Sequence, residues 1–155
     1  MKEGQPTNIQ RNEYTVPSHL IETTDLSVDI NEDVTKVRSV LKMIKNPVAD
    51  ASDGSRDLIL DGGKDLETLS IRVDGRELSS NEYTITDEQL SLFDMPESFE
   101  LEIQVAIKPQ DNTALEGLYK SGGMFCTQCE AEGFRHITWY LDRPDVLSKF
   151  RTTVK

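Results

Sequence analysis

The stretch from Phe99 to Ile107 decides the fold class of this chain. Phe99, Leu101, Ile103, Val105 and Ile107 alternate with Glu100, Glu102 and Gln104, and Ala106 is neutral. A period of two places every second side chain on one face, so the segment reads as a strand with one buried face. A helix would scatter the same residues around its circumference. The pattern recurs upstream. Leu26, Val28 and Ile30 alternate with Ser27 and Asp29. Thr35, Val37, Ser39, Leu41 and Met43 alternate with Lys36, Arg38 and Lys42, and Asn31 to Asp33 lie between the two runs as a turn. Leu58, Ile59 and Leu60 form a short apolar strand stopped by Asp61-Gly62-Gly63. Leu69, Ile71 and Val73 alternate with Ser70 and Arg72, and Asp74-Gly75 comes directly after them. That pair suits a type I′ hairpin turn, which needs positive φ at both central positions. Tyr83 with Ile85, and Leu90 with Leu92, give two more short strands. Several short strands with no long helical pattern before residue 108 predict an all-β, mainly antiparallel fold.

Length and charge set the remaining bounds. The chain has 155 residues, the size of one domain. Residues 1–14 are polar and read as a tail, leaving 15–155 as the β-rich domain. Residues 46–56 hold Pro47 and Gly54 among small polar residues and read as a loop. The net charge is −11. A surface of that sign repels phosphates and anionic lipid, which argues against nucleic acid and membrane as partners. No apolar run is long enough for a membrane span, and the first residues have no apolar segment of the kind a secretory signal needs. The expected compartment is the cytoplasm. Cys126 and Cys129 are the two cysteines. A zinc site would need two further ligands, and a redox site a helix start behind a parallel strand, so both read as buried structural thiols.

After Pro109 the character changes. Residues 115–143 concentrate aromatic and specific polar side chains: Tyr119, Phe125, Gln128, Glu130, Phe134, His136, Trp139 and Tyr140. Asp142-Arg143-Pro144-Asp145 reads as a helix start, with Val146, Leu147 and Phe150 facing inward. Arg151 to Lys155 reads as the beginning of another strand, so the chain looks continued rather than finished there.

Two segments carry a resemblance. Asn112-Thr-Ala-Leu-Glu-Gly-Leu-Tyr119 and Phe125-Cys-Thr-Gln-Cys-Glu-Ala-Glu-Gly-Phe-Arg-His-Ile-Thr-Trp-Tyr-Leu-Asp-Arg-Pro-Asp-Val-Leu147 resemble the matching stretches of the bacterial aminopeptidase N family. These are zinc metalloaminopeptidases of the thermolysin-like superfamily, and the matching stretches lie in their N-terminal domain. The upstream strands resemble that domain in order and spacing. The resemblance implies a saddle-like β-sandwich with short helical segments near its C-terminal end, packed on a catalytic domain of the same polypeptide. It implies a hydrolase that removes N-terminal amino acids from peptides. In the family, zinc is held by a helical H-E-x-x-H motif and a more distant glutamate, and a G-A-M-E-N segment helps to bind substrate. This sequence contains neither motif, and its histidines, His19 and His136, stand in no metal-ligand spacing. No catalytic or metal-ligating residue is therefore expected in this chain, zinc is expected only in the full-length enzyme, and the fragment alone is expected to be inactive.

The family's N-terminal domain also supplies a Gln-x-Glu pair to the active site, which maps onto Gln128 and Glu130. The resemblance implies that Glu130 grips the substrate's free α-amine and that Gln128 lines the first side-chain pocket. An ammonium distinguishes a chain end from an internal peptide bond, and a carboxylate answers it with a charge-assisted hydrogen bond. Read without the resemblance, Thr127-Gln-Cys-Glu130 fits a capping box at a helix start. His136 reads as a hydrogen-bonded packing residue, and Trp139 and Tyr140 as packing of domain against domain. An isolated fragment would uncover apolar surface between Leu118 and Tyr140 and could self-associate. The alternative function is a non-enzymatic β-sandwich interaction module.

Overall fold

The computed structural model describes residues 14–49 and 55–155. The polar tail, apart from Tyr14, and the middle of the expected loop at 46–56 lie outside the described residues.

Among the described residues the strands are β1 (His19–Asp29), β2 (Thr35–Lys45), β3 (Leu58–Asp61), β4 (Glu67–Val73), β5 (Arg76–Glu77) and β6 (Tyr83–Ile85). They continue as β7 (Gln89–Leu92), β8 (Ser98–Ile107), β9 (Gly117–Ser121), β10 (Met124–Gln128) and β11 (Lys149–Val154). One six-stranded sheet runs in the order β11-β1-β2-β8-β4-β5. A second has the order β3-β7-β6, and β9 and β10 form a hairpin. The fold is all-β, as the alternation predicts. Among the described residues two 3-10 turns, Pro109–Asp111 and Phe134–His136, are the helical pieces. The first of them precedes the region in which short helices are expected. No helix among the described residues is long and apolar enough to cross a membrane.

The alternating runs translate into the core. Val37, Leu41 and Met43 of β2 and Phe99, Leu101, Ile103, Val105 and Ile107 of β8 are buried, and the two strands pair antiparallel from Thr35↔Ile107 to Ile44↔Ser98. A one-residue slip would turn all of these side chains outward, so burial itself fixes the register. Leu58 and Leu60 of β3 and Leu90 and Leu92 of β7 join the same core. The outward row is charged: Arg38 of β2 pairs with Glu102 of β8, and Arg72 of β4 reaches Glu102 at 3.8 Å. The β4–β5 turn is the expected one, with φ of +49° at Asp74 and +79° at Gly75.

Three expectations fail locally. Alternation groups Leu69 with Ile71 and Val73 on the inner face, yet Leu69 is exposed. The β4–β8 register shifts between Thr68 and Ser70, so Leu69 is the extra residue of a β-bulge, and a bulge reverses alternation. The helix start at Asp142–Asp145 is a turn instead, closed by Val146 N donating to Arg143 O at 3.2 Å. Its side chains are engaged elsewhere: the Asp142 carboxylate accepts from Arg135, and Arg143 holds Asp145. Neither aspartate is left to cap a helix. Val146 is buried as expected, but Leu147 and Phe150 are exposed. The last strand exists, and it runs parallel to β1, from Thr23↔Lys149 to Val28↔Val154.

Candidate functional site

Gln128 closes β10, and the chain then leaves the hairpin through Cys129 and Glu130. The hairpin turns at Gly122 and Gly123, with φ of +56° and +84°. Beyond β10 the backbone folds back at once: Gly133 N donates to Cys129 O at 2.9 Å. This return passes so close that a Cβ on Gly133 would lie 2.3 Å from Gln128 O. Only glycine fits there.

Within this loop Gln128 Nε2 donates to the Glu130 backbone carbonyl at 3.2 Å. The structure therefore brings the two expected site residues together. Both are exposed, and the Glu130 carboxylate has no hydrogen bond or ion pair among the described residues. The capping-box reading fails on this geometry. Thr127 lies in strand β10, no helix begins at Thr127, and Glu130 makes no bond back to it.

Downstream of the loop, the chain is fastened to the sheets at many points. Arg135 is the main clasp. Its backbone N and its Nε both donate to Asp142 Oδ2 at 3.1 Å, and Nη2 donates to the Asp142 carbonyl at 2.9 Å. Glu132 lies 3.4 Å from Arg135 Nη2, and Asp61 Oδ1 lies 4.0 Å from Nη1. Asp61 in turn accepts from Asp142 N at 3.1 Å, while its backbone bridges Tyr140 in both directions. Burial pushes the Asp61 carboxyl above its ordinary value, and the Arg135 charge opposes that rise. The network ties the segment after Glu130 to the end of β3.

Trp139 is fully buried and donates its indole N–H to Thr68 Oγ1 at 2.8 Å, at the bulge of β4. Thr138 Oγ1 meets Ser39 Oγ at 3.1 Å. Tyr140 is buried, with its hydroxyl 3.3 Å from Thr24 Oγ1, and burial raises its pKa. Its ring stands edge-on to Phe134 at 4.8 Å. Trp139 and Tyr140 thus pack inside this domain, which corrects their expected place between domains. Leu118 and Ile137 are buried as well, and Met124 is the exposed large apolar side chain in the stretch from Leu118 to Tyr140. His136 is half-buried, with Nε2 3.5 Å from Glu116 Oε2. Cys126 and Cys129 are free thiols, half-buried rather than buried. Burial raises the pKa of the Cys129 thiol, with Asp142 adding to the rise, the direction that disfavours the thiolate.

Sequence reasoning misses the Arg135–Asp142–Asp61 clasp. Asp61 lies in another part of the sequence, where it reads only as a strand stop. Nothing in the spacing of Arg135 and Asp142 announces that they meet.

The chain matches the family model described as the Peptidase M1 N-terminal domain over residues 57–155. It is 39% identical to aminopeptidase N of Caulobacter vibrioides over 155 residues, all of this chain and 17% of that protein. It is also 39% identical to aminopeptidase N of Escherichia coli, over 97% of this chain and 16% of that protein. Among solved structures it superposes on Legionella pneumophila aminopeptidase A, crystallised in complex with aspartic acid. There the TM-score is 0.82 and the identity 28%, over 92% of this chain and 16% of the other. The fold, the whole-length identity and the family match agree, and the chain belongs to the Peptidase M1 N-terminal domain family.

Proposed function

We propose that this domain recognises the free α-amine of a peptide substrate on behalf of a zinc aminopeptidase, with Glu130 holding the ammonium and Gln128 bordering the first side-chain pocket. The observation that carries the proposal is the Glu130 carboxylate itself. It is exposed and unpaired among the described residues, on a loop whose return is pinned by Arg135, Asp142 and Asp61. A charge held out on a fastened loop is prepared to bind a cation, because little ordering remains to be done on binding. The relatives named aminopeptidase N supply the cation in question, a peptide N-terminus.

On this reading zinc is bound outside this chain. Among the described residues no group of three or more His, Cys, Asp or Glu could hold a metal ion, and H-E-x-x-H does not occur in the sequence. Zinc and the hydrolytic step are assigned to other parts of the full-length polypeptide, and the catalytic domain is this domain's partner within it. The larger sheet and β3-β7-β6 share one core, which supports the sandwich reading. The free thiols support a cytoplasmic setting.

The test is Glu130→Ala in the full-length enzyme, with kinetics on a series of amino-acid amides. Removing one partner of a hydrogen-bonded charge pair costs about 2–5 kcal/mol, so kcat/KM falls by roughly thirty- to several-thousand-fold. Zinc content and melting temperature stay unchanged. Gln128→Ala alters preference among first residues more than overall rate, since it removes a neutral contact. Near-normal kcat/KM in Glu130→Ala, with a lower melting temperature, would mean that the carboxylate is structural.

A further inference from the structure

Between residues 117 and 145 every basic side chain has an acidic partner, while one acidic side chain has no basic one. Lys120 pairs with Glu32, Arg135 with Asp142 and Arg143 with Asp145. His136 faces Glu116, and Glu132 lies 3.4 Å from Arg135. Glu130 is the carboxylate left over, with no ion pair among the described residues.

The cation best placed to quench Glu130 is Arg135. It follows a loop that turns back on itself, with Gly133 N donating to Cys129 O at 2.9 Å. Its Nη2 already reaches this loop at Glu132, close to Glu130 in the chain. A guanidinium has several N–H donors in a fixed fork, so one acidic partner does not exhaust it. Asp142 holds that fork back. Its Oδ2 accepts from Arg135 Nε at 3.1 Å, and its carbonyl accepts from Nη2 at 2.9 Å. Asp61 approaches the guanidinium less closely, at 4.0 Å. The holder is itself fixed: the Asp142 side chain is 13% exposed, and its backbone N donates to Asp61 Oδ2 at 3.1 Å.

We propose that Asp142 is a positioning residue for amine recognition: it keeps the Arg135 guanidinium off Glu130 and leaves that carboxylate to the substrate's ammonium. The proposal rests on the reading of Glu130 given above. Guanidinium and ammonium would compete for the same carboxylate oxygens. Any fraction of the enzyme in which Glu130 is paired internally is closed to substrate, and apparent affinity falls with the fraction left open. Bound substrate has already displaced the competitor, so the effect falls on KM and leaves kcat alone.

The test is a set of variants of the full-length enzyme, assayed on amino-acid amides at low salt. Asp142→Asn keeps the shape of the side chain and one acceptor oxygen but removes the charge. It is expected to raise KM about three- to fivefold, near the upper end for an exposed ion pair, with kcat unchanged. Adding Arg135→Gln removes the competitor and leaves two neutral amides facing each other, so KM should return to its original value. In a Glu130→Ala background Asp142→Asn should raise KM no further, because no carboxylate remains to be quenched. Three results would each overturn the proposal: an unchanged KM in Asp142→Asn, a raised KM that Arg135→Gln does not reverse, or the same rise in the Glu130→Ala background. None of them touches the reading of Glu130, which Glu130→Ala alone decides; normal kinetics in that single variant would sink both.

Discussion

Glu82 and Asp145 are two carboxylates held by forked arginine pairs at the surface. Arg76 donates to both oxygens of Glu82, at 3.0 and 2.8 Å, and Ser79 adds its backbone N–H and hydroxyl. The guanidinium is the main reason that the Glu82 carboxyl is held down to about 2. Arg143 grips Asp145 in the same forked way, at 2.9 and 2.8 Å, and Tyr14 donates its hydroxyl at 2.7 Å. Asp145 is likewise held down to about 2, chiefly by Arg143. Folded values below the unfolded ones mean support that is complete above the ordinary carboxylate range and lost as pH falls through about 2. Both groups lie at the surface, so the support is modest and weakens with salt. Carboxyl-carbon NMR titration should place both midpoints near 2 at low salt and move them upward as salt is added. Midpoints near the ordinary value of about 4 would show that the forks do not persist in solution.

The segment from Phe134 to Leu141 has little regular structure, yet it is seated as firmly as a strand. Its seat is the turn between β3 and β4, where a Cβ on Gly62 would lie 2.0 Å from Trp139 Cζ3 and one on Gly63 2.5 Å from His136 Nδ1. Gly62→Ala must displace a fully buried indole and strain its bond to Thr68, an overpacking cost of about 1–3 kcal/mol. Urea unfolding should show a lower midpoint with an unchanged slope, and tryptophan fluorescence should shift because Trp139 is the one tryptophan. An unaltered midpoint would mean that the indole has room to move. The same region marks the reach of local pattern. Regular alternation makes β2 and β8 readable down to their facing, and Asp74-Gly75 announces its own turn. Two glycines after Leu60-Asp61 mark a stop but not its purpose, because the close approach is made by a residue far along the chain. Gln128 and Glu130 emerge through resemblance, not periodicity. Leu69, the turn at Pro144 and the direction of β11 escape a sequence reading for one reason. Each is decided by a partner strand or a distant side chain, and local pattern carries no information about it.

At the scale of the whole molecule, the proposed function divides the labour, with amine recognition in this domain and hydrolysis elsewhere in the polypeptide. The purified 155-residue chain should bind no stoichiometric zinc and hydrolyse no amino-acid amide. Metal analysis and a chromogenic aminopeptidase assay check both, and chelator-sensitive turnover by the pure chain would refute the proposed division of labour. The parallel pairing of β1 with β11 has a further consequence, for the order in which the chain can be assembled. Thr23 faces Lys149, so β1 leaves the ribosome long before its outer neighbour and receives it only after all the residues between them have been made. β1 and β2 can meet early as neighbours in sequence, whereas the β1–β11 contact must close the longest loop of any strand pairing among the described residues. During synthesis that edge of β1 stays without its native partner until β11 emerges, and an unpaired strand edge is prone to mispair.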